Sequence, residues 1–181
     1  MEAIVYLLRF VFDALLMLLI VRFWLQWVKA DFYNPLSQFV VKLTNPLVVP
    51  IRKVIPGLGG LDLATLLLAY VVATLKFVTL AAVSGESLGI LAFYIGLLVL
   101  IKQAGVMLFF IMIIVAIMSW VVQGYNPTMM VLQQLIDPLL RPIRAIIPNL
   151  GGLDISMIIA FLLMNVLNII LSNSVPYWAA L

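Results

Sequence analysis

Four charged side chains fall where an apolar chain least tolerates them. Arg9 and Asp13 stand one helical turn apart inside a long hydrophobic run, and Lys76 and Lys102, which interrupt two others, either join this cluster or reach outward to water. Ionisable residues in lipid are candidates for an ion or proton path. An i, i+4 pair near a helix end is equally a device for neutralising charge. A second pattern is Arg52 with Asp62, and Arg144 with Asp154, ten residues apart in both cases. A guanidinium at a membrane edge can hold that carboxylate, cap a helix end or meet a phosphate. The structural pairing is the more economical expectation, and a site for an anion or lipid headgroup is the functional one.

What is missing narrows the chemistry further. The chain has no histidine and no cysteine. That removes the usual general base, the commonest metal ligand and the thiolate nucleophile. No span carries two carboxylates, and the nine methionines form no array with histidine. The expectation is no catalytic residue, no metal and no cofactor. A net charge of +3, spread along the chain, gives no basic face for nucleic acid.

The elements that must position these residues are hydrophobic. Of 181 residues 66% are hydrophobic and 9% charged, and the mean hydropathy is +1.28. Soluble domains carry about 25% charge, so lipid is the solvent for most of this surface. Spans of about 20 apolar residues are read at 4–28, 63–83, 100–122 and 155–172. The stretch 87–101 fits either a tilted start of the third span or a short interfacial helix. Bulky Arg22-Phe23-Trp24-Leu25 follows the first apolar centre, so that helix reads as an anchor and not a cleaved signal. Asn165 and Asn168 in the last span read as hydrogen bonds between helices.

Shifting the sequence by 92 residues lays it on itself. Asn34-Pro35 meets Asn126-Pro127, and Asn45-Pro46 meets Asp137-Pro138. Pro50 and Arg52 meet Pro142 and Arg144, and Pro56 meets Pro148. Gly59, Gly60 and Asp62 meet Gly151, Gly152 and Asp154. Fifteen of the thirty positions from Asn34 to Leu63 are identical to their counterparts. This reads as a tandem duplication, 1–90 and 91–181. Two spans per unit is an even number, which makes the repeats parallel. The expected fold is all-α, with four transmembrane helices in two parallel repeats. Each repeat adds an interfacial amphipathic helical hairpin, at 34–58 and 126–150.

Asn-Pro reads as an N-cap with proline at the first helical position. Leu36, Phe39, Val40, Leu43 and Leu47 then follow helical spacing, with Ser37, Gln38, Lys42 and Thr44 opposite. In the second unit Met129, Leu132, Leu135, Ile136 and Leu139 oppose Thr128, Gln133, Gln134 and Asp137. The spacing predicts an in-plane helix of about ten residues. Asn45-Pro46 or Asp137-Pro138 then restarts the chain as a shorter helical turn. Gly59-Gly60 allows a turn with positive φ, and Asp62 and Asp154 cap the next span. Seven cations, Arg22, Lys29, Lys42, Arg52, Lys53, Arg141 and Arg144, lie on or near the motif side. That excess puts the motif segments in the cytoplasm and both termini outside.

The doubled pattern Asn-Pro, Asn/Asp-Pro, Pro-Ile-Arg, Ile-Pro, Gly-Gly-Leu-Asp resembles the YggT/YlmG family of small integral membrane proteins, over nearly the whole chain. The resemblance implies a bacterial inner-membrane or plastid setting. It also implies links to osmotic-stress tolerance with potassium handling, and to cell division, envelope organisation or nucleoid partition, without a catalytic mechanism. Asp137 in place of Asn45 is the one departure. The sequence therefore points to a non-enzymatic membrane organiser working through its paired interfacial segments. A small ion transporter or channel component, acting as an oligomer, is the alternative. Partners in view are the lipid bilayer, a membrane or division-linked protein and further copies of the chain, with no direct nucleic-acid contact.

Overall fold

The computed structural model describes residues 2–122, 124–146 and 155–181. Six α-helices follow one another: α1 (Glu2–Trp27), α2 (Pro35–Arg52), α3 (Leu63–Val83), α4 (Leu91–Val121), α5 (Pro127–Ile146) and α6 (Ile155–Ser174). A 3-10 turn, Trp178–Ala180, closes the chain. α1, α3, α4 and α6 are long and apolar enough to cross a membrane. The outward faces of these four helices are predominantly carbon, including Phe10, Leu75, Phe110 and Leu163. A multi-pass membrane protein is the architecture such surfaces define.

α1 packs on α3, α3 on α4, and α6 on α4. α4 has 31 residues because it serves two partners at different heights. Thr74 of α3 meets it at Gly96. Phe161 of α6 meets it at Phe109, with ring centroids 5.0 Å apart. The third span thus begins at Leu91 and not near residue 100, and most of the stretch read as ambiguous is helix. Gly96 makes the α3 crossing possible, because a Cβ there would lie 2.2 Å from Thr74 Oγ1 and 2.9 Å from Thr74 Cα.

The expected break inside the motif segment does not occur. α2 runs without interruption through Pro46 and Pro50, and α5 through Pro138 and Pro142. Proline removes one intrahelical bond and strains the next, and neighbouring side chains meet the carbonyls near these sites. Trp24 Nε1 donates to the Leu135 carbonyl, three residues before Pro138, at 2.8 Å. Arg22 Nη1 reaches the Val41 carbonyl at 3.4 Å. Asn45 and Asp137 are therefore interior helix residues and not caps.

Asn34 and Asn126 do cap. Asn34 Oδ1 accepts from the Leu36 amide at 2.9 Å, and Asn126 Oδ1 from the Met129 amide at 3.0 Å. After α2, the Leu58 and Leu61 backbones bond each other in both directions, at 3.1 and 3.0 Å. Gly59 and Gly60 turn between them with φ of 61° and 88°. Two successive positive φ values define the tight turn that suits glycine.

The faces of α2 also differ from expectation. Ser37 and Thr44, read as solvent-facing, are buried against the bundle with Val40 and Val48. Phe39, Leu43 and Leu47 are exposed on one flank of that stripe, and Gln38 and Lys42 on the other. On α5, Val131, Leu132, Leu135 and Ile136 are all buried. Its apolar stripe faces protein because α4, α6 and the end of α1 cover it.

Candidate functional site

The polar centre of the molecule lies where α1, α2 and the start of α3 meet. Asp62, the N-cap of α3, accepts from the Thr65 amide at 3.2 Å through Oδ1, and from the Thr65 hydroxyl at 2.5 Å through Oδ2. Oδ2 also accepts from Arg52 Nη2. The Asp62 side chain is fully buried, whereas that of Arg52 is 42% exposed. Arg52 Nη2 additionally donates to Gln26 Oε1 at 3.2 Å, which ties the end of α2 to the end of α1. Burial alone would raise the Asp62 pKa. The Thr65 hydroxyl, Arg52 and the Thr65 amide together outweigh it and hold the carboxyl below its ordinary value.

The residue that organises this centre is Arg22, which sequence reasoning counted only as a topological charge. It is buried, and its Nη1 donates to Thr44 Oγ1 at 2.7 Å and to Asn45 Oδ1 at 2.9 Å. Its Nε lies 3.9 Å from Asp62 Oδ2. One signal was present. Arg22, Thr44 and Thr65 fall on Ile114, Ile136 and Met157 at the shift of 92 residues. Three polar positions become apolar together, as members of one network would.

In the second unit the described contacts centre on Asp137, the counterpart of Asn45. Asp137 Oδ2 accepts from Arg141 Nε at 2.8 Å, and Asp137 Oδ1 from Arg144 Nη1 at 3.4 Å. With an aliphatic residue at 114, the carboxylate at 137 takes its cations from its own helix. The expected pair of Arg144 with Asp154 lies outside the described residues, as do Pro148, Gly151 and Gly152.

Of the arrangements open to the intramembrane charges, the local Arg9–Asp13 pair does not form. Asp13 Oδ1 bonds Lys76 Nζ at 2.6 Å, joining α1 to α3, and Arg9 is exposed. The cation on the neighbouring span reaches the carboxylate, while Arg9 points away from the bundle. Lys102 sits elsewhere, donating to the Trp178 carbonyl at 2.9 Å with its Nζ 5.7 Å from that indole centroid. Asn168 Oδ1 accepts from the Trp178 indole at 2.9 Å, and Asn165 Nδ2 donates to its own helix at Phe161. These asparagine bonds serve the terminal turn and α6 itself, not a bridge between two spans. Among the described residues no three acidic side chains gather as a metal would need.

A four-span helical membrane protein with a buried Arg-Asp centre at one end is the class this geometry defines. The CCB3/YggT sequence profile matches residues 1–83 and 94–175, and the chain belongs to that family. It is 45% identical to YggT of Escherichia coli K12 over 168 residues, covering 93% of this chain and 88% of the relative. An uncharacterised protein of the proC 3′ region in Vibrio alginolyticus is 44% identical over 184 residues, 98% of each. An uncharacterised Pseudomonas aeruginosa protein is 42% identical over 178 residues, covering 95% of this chain and 89% of the relative. No solved structure matches.

Proposed function

We propose that the protein is a non-enzymatic organiser of the bacterial inner membrane, acting in osmotic-stress tolerance or division-linked membrane organisation. Its working surface is the paired motif helices α2 and α5. The observation that carries this reading is the three-sided α2. One stripe is held by the bundle, Phe39, Leu43 and Leu47 form an exposed apolar stripe, and Gln38 and Lys42 form an exposed polar one. A helix with those three faces is suited to the boundary of protein, lipid and water. α5 packs beside it, and the Asp31 amide bonds Gln134 Oε1 at 3.2 Å. The cation excess at this end supports a cytoplasmic position, and the bacterial relatives support the inner membrane.

The test is growth of a deletion strain after osmotic upshift. Wild type is expected to restore growth, and a correctly inserted Gln38→Glu/Lys42→Glu variant is not. Full complementation by that variant would overturn the reading. The Asp13–Lys76 pair between two spans favours a second reading, an ion-transport component. Saturable ion flux through purified protein in liposomes, abolished by Asp13→Asn, would decide for it.

A further inference from the structure

We propose that the cleft between α1, α3 and α4 binds one anionic phospholipid, with its acyl chains in the cleft and its phosphate at Arg52 and Lys53. The site meets α2 only at its last residue, Arg52, and does not use the exposed Gln38 and Lys42 stripe, so it stands whether or not that surface acts as proposed. The cleft has a volume of about 730 Å³, and its walls include Phe23, Trp24, Leu63, Leu67, Leu97 and Ala104. That size falls in the range of about 300–1,000 Å³ typical of small-ligand sites.

The walls select for hydrocarbon. Two polar side chains border the cleft, Trp24 and Tyr70. The Trp24 indole already donates to the Leu135 carbonyl at 2.8 Å, and the Tyr70 hydroxyl to the Phe93 carbonyl at 3.1 Å. A polar ligand entering the cleft would lose its water without finding a partner there. An acyl chain loses nothing.

The mouth selects for negative charge. Ile55 lines the cleft three residues after Arg52. The guanidinium is bonded to Gln26, one turn from Phe23, and to Asp62, next to Leu63. It is therefore fixed at the end of the cleft where α1 and α3 converge. Both bonds leave from Nη2. Among the described residues Nε and Nη1 have no protein acceptor, and the side chain is 42% exposed. Lys53 beside it is exposed. The nearest carboxylate, Asp62, is buried and engaged. Arg52 is thus the exposed cation placed at the mouth, with Lys53 next to it in the chain. A planar guanidinium with free donors beside an ammonium suits a phosphate diester at headgroup depth.

The experiment is thermal unfolding of the full chain in an uncharged detergent, with phosphatidylglycerol, phosphatidylcholine or inorganic phosphate added. Phosphatidylglycerol is expected to raise Tm saturably, and the other two are not. Lys53→Gln, which leaves the Arg52–Asp62 bond intact, should need several-fold more phosphatidylglycerol for the same rise. Ala104→Phe fills the cleft and should abolish the rise; if it also lowers the starting Tm, Lys53→Gln alone decides. An equal rise with phosphatidylcholine would overturn the headgroup site. A rise with inorganic phosphate alone would leave a free-anion site and overturn the lipid. Unchanged responses in the variants would overturn the location.

Discussion

Arg22 and Asp62 approach to 3.9 Å with side chains 5% and 0% exposed, so two opposite charges from α1 and the start of α3 are out of water together. Removing one member of such a pair typically costs about 3–5 kcal/mol, because the other charge stays buried. Arg52 still holds Asp62 when Arg22 is removed, so Arg22→Met should lower stability by about 1–3 kcal/mol, the loss of a donor to the buried Thr44 and to Asn45. Adding Thr44→Ile, which copies the residue at 136, should return part of that loss. Thermal unfolding in detergent measures both, and additive losses would show that the two positions are independent.

Arg52 and Asp62 should couple as well. Asp62→Ala also removes the cap of α3, worth about 1 kcal/mol, so the single variants are unequal. Their double-mutant cycle should still be strongly non-additive. A coupling near zero would free Arg52 from a structural role and leave it wholly to the headgroup.

Asp62 has a depressed pKa in the folded protein, so it binds protons more readily when unfolded. Its contribution is fully present above the ordinary Asp value of about 3.9 and is lost as pH falls through the lower folded value. Wild type should lose stability below about pH 4 more steeply than Asp62→Asn, which starts from a lower level. Parallel curves from pH 6 to pH 2 would refute this.

Gly96→Ala should destabilise the α3–α4 crossing by about 1–3 kcal/mol, because the new methyl group meets the Thr74 backbone as well as its hydroxyl. Gly105→Ala, with nothing within 4 Å of its added carbon, is the control and should be neutral or slightly stabilising. Equal Tm values for the two variants would contradict the close approach.

The absence of cysteine gives a clean background for labelling. Single cysteines at Lys42 and Gln133 should react with an impermeant maleimide from one side of the membrane, and one at Ser84 from the other. Labelling of positions 42 and 133 from opposite sides would end the parallel arrangement of the two motif segments.

Hydropathy alone marked the four long apolar helices, since a lipid-facing surface must be carbon along its whole length. The caps were equally legible, because Asn34 and Asn126 act on amides two and three residues away. The path of α2 was not, because Pro46 reads as a stop unless the groups that meet the carbonyls around it are known. Near Pro46 that group is Arg22 of α1, which reaches the Val41 carbonyl from nineteen residues earlier. Lys76 was in view as a member of the Asp13 cluster, but the sequence could not rank it above Arg9, which is nearer along the chain and points elsewhere. Arg22 shows the limit most plainly. A lone cation at a helix end fits the general tendency of such side chains to reach outward to water, and only the third dimension turns it inward.

At 1.5 Å per residue, the 31 residues of α4 make a rod of about 46 Å, against a hydrocarbon layer of about 30 Å. Such a rod leans, or thickens the bilayer around it. α3 grips its first half and α6 its middle, so a change of lean carries both partners with it. Bilayer thickness, and with it acyl-chain length and lateral tension, becomes a quantity to which the tilt of this bundle responds.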